Sequence, residues 1–331
     1  MPSWLWWLIG AAVGLILFVA ALPWLIRPVF RALLAVRYGF RIVGRENVPR
    51  TGAAILTSNH VTWIDGFLIV AVTPRHGKAL VNASYIDVPI LRFLALRAGV
   101  IPVPFRGPRA QRAAIVAIQR ALDHGEVVLI FPEGQLSRTG MLGPFYRGLE
   151  VMLKDREHIP VIPMYLGNLW GSVFSHSDGR YFRKCPRGLR RPVAIAFGPP
   201  PASPVTAFGV RQAVLEAGVA AVELLPPEIS TPLETIDLNL PHWNHPDLGL
   251  LAVSTADYDA KDVHQLGHKP GSLGLPAPGV ALRVVDTDGR PLSPNKEGRL
   301  EVLLPGRGAW IDTGRRGHLD RDGFVFLVDK A

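Results

Sequence analysis

Between residues 40 and 200 the chain alternates two kinds of hydrophobic pattern. Short apolar runs at 41–43, 54–58, 79–82, 99–103, 127–131, 159–165 and 193–197 read as strands. Between them, apolar positions recur every three to four residues at 66–71, 90–97, 109–123 and 147–155, which predicts helices. The alternation predicts an α/β domain, a layered sheet flanked by helices, with its polar loops gathered at the strand ends. A last helix is expected over about 207–225, after the proline-rich residues 199–206. Pro226, Pro227 and Pro232 then mark a boundary, and a small β-rich module follows with turns at Pro278-Gly279 and Asp288-Gly289.

The opening segment has a different pattern. Residues 3–26 contain no charged side chain. As a helix they would extend about 36 Å, enough to cross a bilayer core of about 30 Å. Trp4, Trp6 and Trp7 at one end and Trp24 at the other suit an interfacial belt. The expectation is a transmembrane or membrane-inserted helix over residues 1–27; Pro23 leaves open a hairpin dipping into one leaflet. A cleavable signal peptide fits less well, because no basic residue precedes the apolar run. Arg27, Arg31, Arg37 and Arg41 follow with no acid before Glu46. By the positive-inside rule they place the rest of the chain in the cytoplasm, against the inner membrane. Residues 28–38 space apolar side chains between these arginines as an interfacial helix on anionic lipid would.

The 331 residues carry a net charge of +9, which suits an anionic partner such as a membrane surface or a phosphorylated substrate. Nucleic acid is not expected, since no aromatic stacking pattern accompanies the bases. Cys185 is the only cysteine, which rules out an internal disulfide and a cysteine-based metal site. No metal or bound cofactor is expected.

The candidate chemistry begins where the 54–58 strand gives way to a helical pattern. His60 stands five positions before Asp65. Five positions turn about 140° around a helix, so the two side chains meet only if His60 lies in the preceding turn and Asp65 in the first helical turn. A carboxylate on one imidazole nitrogen would leave the other to act as a general base. The same letters also fit a capping box from Thr62 to Asp65. Backbone N–H groups at this helix start are suited to a developing oxyanion. Two further clusters fall at strand ends. Phe131, Pro132, Glu133 and Gly134 put an acid suited to ligand hydroxyls beside a glycine that permits close backbone approach. The run from Ile101 to Arg109 delivers Arg106, whose fork suits phosphate. Residues 183–191 hold five bases that could rest on anionic lipid.

Together, the Asn59 to Asp65 block, the Phe131 to Gly134 block and the apolar Val161, Ile162, Pro163 and Met164 resemble, in this order, the glycerolipid acyltransferase family that includes 1-acyl-glycerol-3-phosphate acyltransferases. The resemblance covers residues 40 to about 225 and implies a glycerol-3-phosphate acyltransferase-like fold over residues 28–226. It implies His60 as general base, Asp65 as its partner, and Asn59, Arg106, Glu133, Gly134 and Arg138 as substrate-binding residues. The implied substrates are a lysophospholipid and an acyl thioester, either acyl-CoA or acyl-acyl carrier protein, used at a membrane. Gln135 and Leu136 stand where many members carry an arginine, and Arg138 is the nearest replacement. The second block reads Val100 to Val103, with no arginine before Arg106. The wording around 59–66 and 131–140 is closer to the branch that reacylates lysophosphatidylethanolamine.

The tail, residues 227–331, resembles part of an adenylate-forming, acyl-activating enzyme at Gly271 to Gly279 and at Thr313 to Phe324. Its nucleotide-ribose motif carries Arg315 in place of the aspartate, no phosphate loop is present, and the chain ends before the lobe that carries the catalytic lysine. A bifunctional acyltransferase and synthetase is therefore disfavoured, and the tail reads as a truncated module with a structural or docking role. A non-catalytic membrane adaptor of the same fold is the remaining alternative.

Overall fold

The computed structural model describes residues 2–97, 99–103, 107–177, 184, 188–227, 229, 237, 239–260 and 263–328. Its centre is a seven-stranded sheet built from β1 (Tyr38–Val43), β2 (Ala54–Ser58), β3 (Gly77–Asn82), β4 (Val100–Val103), β5 (Val127–Ile130), β6 (Val161–Gly167) and β7 (Arg191–Phe197). The order across the sheet is β1-β7-β6-β2-β5-β3-β4, parallel except where β6 meets β7. The central strands β2, β5 and β6 are buried along their whole length. They alternate between two cores as a period of two requires. Ile55, Val128, Ile130, Val161 and Tyr165 face one, and Leu56, Leu129, Ile162, Met164 and Leu166 face the other.

Helices close both faces. On one side α2 (Asp65–Val72) contributes Leu68, Ile69 and Val72. On the other lie α4 (Pro108–Asp123), the short α5 (Gly148–Leu153) and α6 (Ala207–Glu223), with Ile118, Leu149, Val210 and Val214 in contact with the sheet. Helix α3 (Pro89–Arg97) packs beside β4 at the far edge.

The first helix, α1 (Ser3–Arg37), runs unbroken through Pro23 and Pro28 and leads directly into β1. The apolar segment and the arginine-spaced segment that follows it are thus one rod, which packs on α2. Trp4, Trp6, Trp7, Val29, Leu33 and Val36 are exposed on it. Among the described residues no helix is long and apolar enough to cross a membrane, so the expected span is not found. Arg41 is turned onto the protein, donating to the Leu224 carbonyl at 2.5 Å.

After α6 the chain builds a three-stranded sheet from β8 (His242–His245), β9 (Gly249–Val253) and β12 (Leu275–Pro276), and a hairpin of β10 (Tyr258–Ala260) and β11 (Val263–Gln265). A four-stranded antiparallel sheet follows in chain order: β13 (Ala281–Val285), β14 (Gly298–Leu303), β15 (Ile311–Leu319) and β16 (Val325–Leu327). Its core of Leu282, Val284, Leu300, Val302 and Leu319 takes in Phe208 of α6. Gln212 of α6 donates to the Leu282 carbonyl at 2.7 Å. Helix α6 is therefore covered by the main sheet on one side and by the C-terminal module on the other.

Candidate active site

Strands β2 and β5 are parallel neighbours, so their carboxyl ends open side by side, the place where α/β sheets bind ligands. His60 follows the end of β2 and Glu133 the end of β5. Asn59 fixes the exit of β2. Its amide donates to the Leu166 carbonyl of β6 at 3.1 Å and accepts the Leu166 N–H at 2.8 Å. Asn59 is buried, with both ends of its amide engaged on this backbone pair, so it positions the chain.

The histidine and aspartate meet. His60 Nδ1 lies 3.0 Å from Asp65 Oδ2, with Asp65 fully buried and the His60 side chain 21% exposed. The same carboxylate accepts the N–H groups of Val61 at 2.6 Å and Thr62 at 2.8 Å, and the Thr62 hydroxyl. With this many donors the carboxylate is held in one orientation. Nδ1 then carries the imidazole proton, and Nε2 presents its lone pair. Half of the capping box is present: Asp65 reaches back to Thr62 N–H, but the Thr62 hydroxyl donates to the carboxylate instead of capping the helix. Asp65 is the first residue of α2, preceded by Ile64 at the cap position. Among the expected oxyanion donors, Val61 and Thr62 give their N–H groups to Asp65, and Trp63 gives its own to the Phe174 carbonyl.

The imidazole stacks on Phe131, with ring centroids 3.9 Å apart and planes 13° from parallel. Beside it Glu133 is turned into the protein. Oε1 accepts the His60 backbone N–H at 2.8 Å and Oε2 the Gly143 N–H at 2.9 Å. Burial pushes its carboxyl up to about 7, opposed by those two N–H groups and by the nearby Arg211 cation. Glu133 therefore organises the loop, with each carboxylate oxygen accepting one backbone N–H. The loop is closed by Ser137, whose N–H donates to the His60 carbonyl at 2.7 Å. Gly134 turns with φ +66, and a Cβ there would lie 3.1 Å from the Tyr146 ring. The requirement for glycine is thus steric as well as conformational.

The expected phosphate-gripping bases are placed differently. Arg138 pairs with His176 and lies 5.1 Å over the Tyr258 ring of the C-terminal module. Lys184 of the basic loop donates to the Ser175 carbonyl and the Ser177 hydroxyl, both at 2.9 Å, and Arg191 donates to the Asn168 and Trp170 carbonyls. Arg106, Arg183, Arg187 and the Arg27 side chain lie outside the described residues. In the tail, the Thr313 hydroxyl of the ribose-like motif donates to the Leu300 carbonyl within the sheet. Among the described residues no group of three His, Cys, Asp or Glu is placed to hold a metal ion. The sequence pattern carried no sign of Arg211, a fully buried arginine on α6 whose guanidinium holds the loop of Glu133 from behind.

Comparison with known proteins bears on this constellation. A family model described as Acyltransferase matches residues 39–167, which include His60, Asp65 and Glu133. A 1-acyl-sn-glycerol-3-phosphate acyltransferase of Limnanthes douglasii is 31% identical over 172 residues, covering 47% of this chain and 59% of its own. The chloroplastic enzyme of the same name, BAT2, of Brassica napus is 27% identical over 130 residues, covering 39% and 37% respectively. The crystal structure of a 1-acyl-sn-glycerophosphate acyltransferase from Thermotoga maritima is 19% identical, with a TM-score of 0.42 over 60% of this chain and 75% of its own. The chain thus spans well under two thirds of the length of these two curated relatives. Over residues 39–167 the chain is therefore similar to the glycerolipid acyltransferases.

Proposed function

We propose that the protein is an O-acyltransferase that moves a fatty acyl group from an acyl thioester to the free hydroxyl of a lysophosphatidate-type lysophospholipid. The observation that carries this reading is the 3.0 Å contact of His60 Nδ1 with buried Asp65, which leaves Nε2 as a base at the mouth of the sheet. Nε2 takes the hydroxyl proton as the oxygen attacks the thioester carbonyl carbon. A C–O bond forms, the C–S bond breaks as the tetrahedral intermediate collapses, and the proton passes from Nε2 to the departing thiolate. Positioned proton transfer of this kind contributes about 10²- to 10⁴-fold in rate. Asp65 orients the ring and stabilises the imidazolium. Glu133 and Gly134 set the shape of the loop that faces the acceptor.

The relatives' names favour lysophosphatidate as acceptor, while the wording at 59–66 and 131–140 favours lysophosphatidylethanolamine as a second. The exposed Trp4, Trp6 and Trp7 and the exposed Arg31 of α1 support attachment to a lipid surface, the inner membrane with the catalytic face towards the cytoplasm. The test is transfer by membranes containing the full chain, using both lysolipids and both acyl-CoA and acyl-acyl carrier protein as donors. His60→Ala should abolish transfer while leaving cooperative unfolding intact. Equal turnover by wild type and variant would exclude the mechanism.

A further inference from the structure

The C-terminal module grips the loop that carries Glu133 from two sides. On the outer side, Gln265 of β11 donates to the Leu136 carbonyl at 2.8 Å and accepts the Arg138 N–H at 2.7 Å, while Gln135 donates to the His264 carbonyl at 3.2 Å. At the far end of the same loop, Met141 is buried in a cluster with Val253, Leu275 and Phe324, all from the module. The next two residues are held from beneath by Arg211. Its Nη2 donates to the Leu142 carbonyl at 2.9 Å and its Nε to the Gly143 carbonyl at 3.0 Å. Gly143 in turn gives its N–H to Glu133, which holds His60.

Arg211 is an expensive residue to place there. It is completely buried, and Nη1 has no hydrogen-bond partner. Burial pulls its guanidinium down to about 10, opposed by the favourable fields of Glu133, Asp320 and Asp322. A buried cation costs several kcal/mol unless it is paired, so an apolar side chain of similar volume would have served packing better. The module seals it in. Gly323, at φ +87, lies flat on the guanidinium, where a Cβ would fall 2.1 Å from Nη1. Asp320 and Asp322 in the same turn are paired with Lys269 at 2.5 Å each, so they supply field to Arg211 without bonding to it.

We propose that the C-terminal module is the retaining wall of the 133–143 loop and that Arg211 is the positioning residue through which it sets Glu133 and the His60 main chain. The proposal rests on the acyl-transfer reading of this site. It gives the module a task within the acyltransferase site, with no need for nucleotide chemistry. The charged and titratable groups facing Glu133 are His60, Arg211 and the buried Tyr165, whose phenol is pushed up to about 12 by burial and by Glu133. Those facing Arg211 are Glu133, Asp320 and Asp322. Neutralising Arg211 therefore raises the Glu133 carboxyl further.

The experiment uses the full chain with Arg211→Met, Arg211→Lys and Gln265→Ala. Arg211→Met should lower kcat roughly 100-fold, as displacing a catalytic geometry by about 1 Å does, with the KM for the thioester changed little. Arg211→Lys should recover part of that loss, and Gln265→Ala should lower kcat in the same sense by less. A second readout needs no activity. In a double-mutant cycle with Glu133→Gln, urea unfolding should show Arg211–Glu133 coupling that grows as pH rises through about 7 and vanishes near pH 5. A folded Arg211→Met protein with wild-type kcat, or a kcat loss that lysine does not rescue together with pH-independent coupling, would overturn the proposal. Should Arg211→Met not fold, the lysine and Gln265 variants decide by the same criteria. If the wild type transfers no acyl group to any acceptor, the reading of the site fails, while the coupling still shows whether Arg211 acts on Glu133.

Discussion

The carboxylate of Glu133 accepts the backbone N–H of His60 at 2.8 Å, so this acid fixes the main chain of the histidine and leaves the imidazole to Asp65. Two acids thus divide the work on one histidine. Asp65 sets the ring's tautomer and direction, and Glu133 sets where the ring is mounted.

Asp65→Asn keeps the shape and reverses part of the polarity. Oδ2 now accepts from His60, Val61 and Thr62; an amide nitrogen at that place would face donors, and an amide oxygen there would turn the nitrogen on the Thr62 hydroxyl. At least one buried donor loses its partner, at about 1–3 kcal/mol. The tautomer is also no longer held. Activity should fall about as far as in His60→Ala, with a lowered urea midpoint that His60→Ala does not share. Stopped acyl transfer and urea titration on the same samples check both.

Glu133→Gln tests the buried carboxyl. Its value of about 7 in the folded protein lies above the ordinary 4.5, so the folded state binds this proton more tightly than the unfolded chain does. Its contribution to stability is therefore most favourable below about pH 4.5, declines as pH rises to about 7 and is level above that. The full decline is on the order of 3 kcal/mol. Relative to Glu133→Gln, the wild type should lose urea resistance across this window. Parallel stability curves for the two proteins would show that the carboxyl titrates normally.

Asn59→Ala removes the bridge to Leu166 and strands a buried N–H and carbonyl of β6. The expected loss is about 1–3 kcal/mol per abandoned group. Because Asn59 is buried and bonded to β6, the acceptor KM should stay near wild type while kcat falls. A large rise in KM with kcat preserved would restore the substrate-contact role.

Changing Trp4, Trp6 and Trp7 together to alanine should weaken binding of the full chain to anionic vesicles, because their rings are exposed on α1. Vesicle co-sedimentation reads this directly, and transfer from lysolipid micelles should be affected less than transfer on vesicles.

Most of the central sheet was legible. Its strands are continuous apolar runs, and β2 falls on the residues that the pattern indicates, because full burial leaves little ambiguity of period. The five-residue spacing and the change from strand to helix set the condition under which His60 and Asp65 can meet, and the structure fulfils it. The direction of Glu133 was not legible, since the same letters suit an acid facing ligand or one facing backbone. Only the position of Gly143, ten residues away, decides between them. Arg211 was invisible for a similar reason. On a helix that also carries solvent-facing residues, nothing local marks an arginine whose partners are the carbonyls of Leu142 and Gly143. The continuation of α1 to Arg37 was missed because proline and arginine both signal an end, and here packing on α2 overrode them.

His60 and Asp65 are wired together over a very short contour. The Asp65 side-chain bonds to His60, Val61 and Thr62 all fall within six consecutive residues. Glu133, by contrast, depends on segments spread from Gly143 to the end of the chain. The direction of the imidazole is therefore inherited locally, while the place where it is mounted is a property of the assembled molecule. Divergence of the C-terminal half can shift that mounting without touching the contact that orients the ring.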